Sequence, residues 1–68
     1  MSPKEISNLL ATLIGKDKVL AAKLCKQLGM IPRLCREDKV MYMCTRDLNF
    51  ERINLEYDNG LVTNAYIG

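Results

Sequence analysis

The sequence contains no histidine and no tryptophan. Without histidine, Ser-His-Asp triads and most zinc sites fall away. Its three cysteines, Cys25, Cys35 and Cys44, are too evenly and widely spaced for Cys-x-x-Cys ligation, and each reads as a small buried hydrophobe. No segment approaches the roughly 18 apolar residues of a membrane span. No basic start followed by a long apolar run marks an export signal, and free thiols suit a reducing compartment, so a cytoplasmic location is expected; an extracellular one would require a leader beyond these residues. The single glycine of "LIGK" (13–16) cannot cradle phosphates. Asp47 and Glu51 stand four apart, but no regular element orients them for acid–base work. Met30, Met41 and Met43 read as core or interface filling rather than a ligand set. The chain is therefore expected not to be an enzyme and to need neither cofactor nor metal.

What remains is 68 residues, one domain over 1–68. A domain of this size buries only about 60% of the surface its unfolded chain exposes, which leaves little room for an internal catalytic cavity. Function belongs on the surface. Charge is uneven. Residues 1–46 carry nine Lys/Arg against four Asp/Glu, a net +5, and residues 47–68 carry one against four, a net −3. A solvated helix face or a polar partner accounts for such asymmetry.

Two helices are written at the start. In "SPKEISNLLATLIG" Ser2 is a cap, Pro3 fits the first helical position, and Glu5 completes a capping box. Ile6, Leu9, Leu10 and Leu13 recur at helical spacing before Gly15. In "KDKVLAAKLCKQLG" Asp17 is the cap. Leu20, Leu24 and Leu28 form the expected stripe, with Val19, Ala21 and Cys25 beside it, while Lys18, Lys23, Lys26 and Gln27 face water.

The period changes after Gly29. Met30 to Cys35 reads as a short extended run, with Pro32 confined to an edge or entry position. "REDK" (36–39) is turn-like, "VMYMCT" (40–45) is β-compatible, and "RDLNFE" (46–51) has no regular pattern. Asn59-Gly60 predicts a two-residue type I′ hairpin. That register sets Tyr57 opposite Val62, Leu55 opposite Asn64 and Ile53 opposite Tyr66. One face is then apolar except for Asn64, and the other carries Arg52, Asn54, Glu56 and Thr63. The predicted fold is α+β: a small mixed sheet with one main helix packed on it, an extra N-terminal helix, and a long exposed loop over about 37–50.

From Thr45 onward the sequence, "TRDLNFERINLEYDNGLVTNAYIG", resembles the potato inhibitor I family of serine-protease inhibitors, including its small bacterial relatives. Thr45, Asp47, Glu51, Arg52, Ile53, Asn54, Asp58 and Gly68 fall on the family pattern. "LIGK" and "AAKL" (21–24) match it upstream, so the similarity covers about residues 13–68. The resemblance implies a serine-protease inhibitor whose exposed loop enters the protease in a substrate-like shape and is cleaved very slowly. The binding loop would comprise Met43, Cys44, Thr45, Arg46, Asp47 and Leu48. Glu51, Arg52, Asn54 and Gly68 would support it, with Arg52 bracing the loop by charge-assisted hydrogen bonds. A gapless alignment makes Arg46–Asp47 the reactive bond and suits a trypsin-like protease. An alignment with three extra residues puts Met43 at the specificity position and suits a subtilisin- or chymotrypsin-like one.

Two other readings compete. A non-inhibitory interaction module on the same fold would use the loop, or the apolar residues Leu10, Leu13 and Ile14, to bind a partner or a second copy as a homodimer. A winged-helix-like nucleic-acid binder would draw on Lys16, Lys18, Lys23, Lys26, Arg33 and Arg36, but its wing would be acidic and repel phosphate.

Overall fold

The computed structural model describes residues 2–42 and 47–68. Ser2 starts the first helix as its position predicts. Its side chain accepts from the Glu5 amide at 3.2 Å, and Pro3 follows where a helix needs no N–H. The Glu5 carboxylate meets the Ser2 hydroxyl at 3.1 Å, a side-chain variant of the expected capping box. Helix α1 runs Pro3–Leu13 and helix α2 runs Lys18–Gln27. Asp17 caps α2, accepting from the Leu20 amide at 2.8 Å.

Among the described residues four strands follow: β1 (Ile31–Glu37), β2 (Val40–Met41), β3 (Arg52–Asp58) and β4 (Leu61–Ile67), in the sheet order β2-β1-β3-β4. β1 and β3 are parallel, and both outer pairs are antiparallel. The fold is α+β, with both helices contributing to one core on one face of a mixed sheet. Leu9 and Leu13 from α1 and Ala21 and Cys25 from α2 meet Ile53, Leu55, Tyr57 and Val62. The linker between the helices is stitched to β4. The Gly15 amide donates to Val62 O at 2.8 Å, and the Val62 amide donates to Lys16 O at 2.9 Å.

Pro32 fits within β1 because the Ile31 amide already turns toward β3, donating to Glu51 O at 2.7 Å. Strand alternation directs the Pro32 nitrogen the other way, and β2 pairs only with Arg36 and Glu37. The polar turn is narrower than 36–39. Arg36 and Glu37 belong to β1, and only Asp38 and Lys39 turn, with Asp38 at φ 54°. Of the run expected to be extended over 40–45, Val40–Met41 is strand and the Tyr42 amide donates to Cys35 O, while residues 43–45 lie outside the described residues. Of the loop expected over about 37–50, Glu37 belongs to β1 and Val40–Met41 to β2, while the described residues 42 and 47–50 form neither helix nor strand.

The stripe expected on α2 is displaced. Leu20 and Leu28 are exposed, Val19 is 81% exposed, and the buried residues are Ala21 and Cys25, with Leu24 partly covered. Two small side chains one helical turn apart let α2 lie close to the sheet, which the larger leucines would prevent. Leu13 is fully buried and Leu10 packs against the core, so only Ile14 of that trio is exposed.

Both turn residues of the hairpin have positive φ, 54° at Asn59 and 78° at Gly60, as a type I′ turn requires. Tyr57 faces Val62 as expected, but the register then shifts. Glu56 pairs with Asn64, so Thr63 is an extra residue and β4 changes faces. Leu55 pairs with Ala65, Asn54 with Tyr66 and Ile53 with Ile67. The shift brings Ala65 and Ile67 onto the core and moves Asn64 out to solvent, where it bonds Glu56.

Candidate functional site: a braced loop exit

The residues before β3 close on themselves. Asn49 accepts twice, through its side chain from the Glu51 amide at 2.9 Å and through its main chain from the Arg52 amide at 3.1 Å. This local turn, an Asx-type motif, delivers the chain into β3. Glu51 itself is exposed, and its main-chain oxygen accepts from the Ile31 amide.

Arg52 reaches both ways from the start of β3. Its Nη2 donates to Asp47 O at 2.8 Å, its Nη1 lies 3.5 Å from the Asp47 carboxylate, and its Nε donates to Gly68 O at 2.8 Å. A planar guanidinium with donors on both edges can hold two acceptors at a fixed separation. Glu56, on the same strand, pairs with Arg36. Asn54, two residues on, shares the face of Arg52 and also donates to Gly68 O, at 3.0 Å. It stands on the polar face expected of it, yet it is 2% exposed. Arg33 from β1 donates to its Oδ1 at 2.6 Å, and the Cys35 thiol approaches the same oxygen at 3.4 Å. Gly68 therefore gathers Arg52 and Asn54 on one main-chain oxygen, while its own amide donates to Arg52 O.

A second network lies on the same outer face. Arg36 bonds Glu56 through Nε at 3.0 Å and grips Asp58 with two parallel bonds at 2.8 Å. Thr63 adds a bond to Asp58 at 2.6 Å. The pair with Asp58, then that with Glu56, pushes the Arg36 guanidinium further toward its charged form. The Arg36 guanidinium, followed by Thr63, holds Asp58 well below the usual carboxylate range. These bonds join β1, β3 and β4, and Asp38 ties in the β1–β2 turn by accepting from the Asn59 amide at 2.9 Å. On the core side Lys18 pairs with Glu37 and lies 5.7 Å from the Tyr57 ring centre. Burial pushes up the Cys25 thiol and the Tyr57 hydroxyl.

Of the predicted site residues, Asp47, Arg52, Asn54 and Gly68 are brought together. Leu48 is 76% exposed, as is Phe50 at 77%, just upstream of β3. Met43, Cys44, Thr45 and Arg46, which carry both readings of the specificity position, lie outside the described residues. Arg33 and Asn49 were missed. Asn49 had a local signal, an Asn three residues before the start of a strand. Arg33 had none, because its role depends on a parallel pairing with a strand some twenty residues on. Among the described residues no helix is long and apolar enough to cross a membrane, and no cluster of His, Cys, Asp and Glu could hold a metal. No protein-family model, curated protein or solved structure shows significant similarity to the chain.

Proposed function

We propose that the protein is a serine-protease inhibitor whose binding loop, around residues 43–48, is held in a substrate-like shape by Arg52. The observation that carries this reading is the bond from Arg52 to the main-chain oxygen of Asp47, with the other edge of the same guanidinium fixed on Gly68. A side chain that grips a loop carbonyl restrains the backbone whatever the loop side chains are. Restraint before binding reduces the entropy lost on binding, so a small contact can be tight.

In the alignment that makes Arg46–Asp47 the reactive bond, the gripped carbonyl belongs to the residue that supplies the leaving amine. Cleavage would leave that amine tethered beside the acyl group, where it re-forms the bond instead of departing. Arg46 would fill a trypsin-like pocket, and Met43 a subtilisin- or chymotrypsin-like one in the other alignment. Residual activity of trypsin and subtilisin, titrated with the protein and with Arg46→Ala, tests this. Slowing of trypsin that is lost in Arg46→Ala supports the first alignment, and slowing of subtilisin retained in Arg46→Ala supports the second. No slowing of either at micromolar concentration removes the proposal.

A non-inhibitory interaction module draws on an apolar groove lined by Pro3, Ile6, Leu10, Phe50 and Ile67. A mass that rises with concentration in light scattering would favour its self-associating form, and a constant monomer mass would remove that form. The nucleic-acid reading is weakened because Arg33 and Arg36 are engaged with Asn54, Glu56 and Asp58.

A further inference from the structure

We propose that Arg33 is a positioning residue for the braced loop exit, acting through Asn54 and Gly68. Its consequence for binding rests on the inhibitor reading, but its geometry stands apart from that reading. Asn54 is almost fully buried, so its amide must be satisfied at both ends. The Oδ1 end receives Arg33 Nε at 2.6 Å and Cys35 Sγ at 3.4 Å, and the Nδ2 end gives its proton to Gly68 O at 3.0 Å. Rotating the amide by half a turn would set its NH₂ against a guanidinium and its oxygen against another oxygen. The thiol is a weak donor, so the charged Arg33 is what selects the orientation.

With Asn54 fixed, Gly68 O is held in place to receive Arg52 Nε at 2.8 Å, and the far edge of Arg52 is thereby aimed at Asp47 O. The relay runs from β1 through β3 and the residue after β4 to the loop exit. It exists because β1 carries an irregularity between Leu34 and Arg36. In a regular strand Arg33 and Arg36 would point to opposite faces; with Cys35 as the extra residue both reach the outer face. Arg36 is taken up by Glu56 and Asp58, and Arg33 serves Asn54.

The test follows the Arg52 Nε–H directly by NMR on nitrogen-15-labelled protein, comparing wild type with Arg33→Met and Arg33→Lys. Arg33→Met is expected to speed exchange of the Arg52 Nε–H with water by about tenfold, the scale of one lost charged hydrogen bond. The dispersed hairpin amides should persist, and Arg33→Lys should return part of the protection. Unchanged Arg52 exchange in folded Arg33→Met overturns the proposal. If Arg33→Met does not fold, Arg33→Gln decides on the same signal, faster exchange supporting the relay and unchanged exchange overturning it. The readout requires no protease. A wild type that slows none would end the inhibitor reading while leaving this result intact, and a wild type that does inhibit should lose affinity in Arg33→Met.

Discussion

Arg52 holds Asp47 at two points, its main-chain oxygen at 2.8 Å and its carboxylate at 3.5 Å. The two contacts differ in weight. The Asp47 side chain is 61% exposed and its carboxylate stands at the long limit of a bond, so that contact is weak and screened by water, whereas the main-chain bond from the same guanidinium is short. Arg52→Met should therefore free the loop exit, while Asp47→Asn keeps the bond that matters. The expected result is faster protease cleavage within 42–51 in Arg52→Met, by about 10- to 100-fold, from loss of a charge-assisted bond and the orphaning of its acceptors. Asp47→Asn should change the rate by no more than about threefold, the worth of an exposed ion pair. Rates from limited proteolysis read by mass spectrometry check both, and equal effects in the two variants would transfer the brace to the carboxylate.

The irregularity at Thr63 makes a prediction of its own, since it decides which residues of β4 meet the core. Asn64 is exposed and Ala65 packs against the core. Asn64→Thr should shift stability by no more than about 0.5 kcal/mol, as surface changes do. Ala65→Asn should cost about 1–3 kcal/mol, because a polar amide enters apolar surroundings. Urea midpoints of the two variants check this. The reverse order of effects would restore the uninterrupted register.

The unbroken register had advertised its own fault. It left Asn64 alone among apolar residues on the core face and sent Ala65 and Ile67 to the other side, a mismatch that one extra residue repairs. Elements with local chemistry were legible: the caps at Ser2 and Asp17, and the turn at Asn59-Gly60, each arise within a few residues of chain. The α2 stripe was not, because helical spacing permits several faces and only the sheet beneath selects the small pair Ala21 and Cys25. Arg52 as a brace came from resemblance. That Asn54 would be buried, and served by Arg33, depended on which strand lies beside β3, and nothing near residue 54 encodes that.

Helix α1 lies upstream of most of the region resembling the inhibitor family, and its leucines were candidates for holding a partner. Leu13 is fully buried in the shared core, whereas Ile14 is 45% exposed. Leu13→Ala should cost about 2–5 kcal/mol, and a core this small rarely supplies more than about 3–5 kcal/mol in all. The variant should be largely unfolded at room temperature by far-ultraviolet circular dichroism. Ile14→Ala should unfold within about 1 kcal/mol of wild type. A folded, stable Leu13→Ala would mean that α1 is an appendage available for partners.

Acid should unlock the outer face through Asp58. Arg36, then Thr63, depresses its carboxyl well below the usual range, whereas the unfolded chain restores an ordinary value of about 3.9. Below that value the unfolded state binds a proton that the folded state still refuses, so stability falls as pH falls. The contribution is complete above about pH 5, declines below about pH 4, and is gone only once the folded carboxyl is itself protonated. Arg36 stays charged throughout, since its own shift is further upward. Asp58→Asn removes the titrating group while keeping an oxygen for Arg36. Urea midpoints measured between pH 6 and pH 2 should fall less steeply in that variant than in wild type, the two curves converging toward the acid end. Parallel curves across the whole range would show that the Arg36–Asp58 grip contributes nothing to the acid sensitivity of the fold.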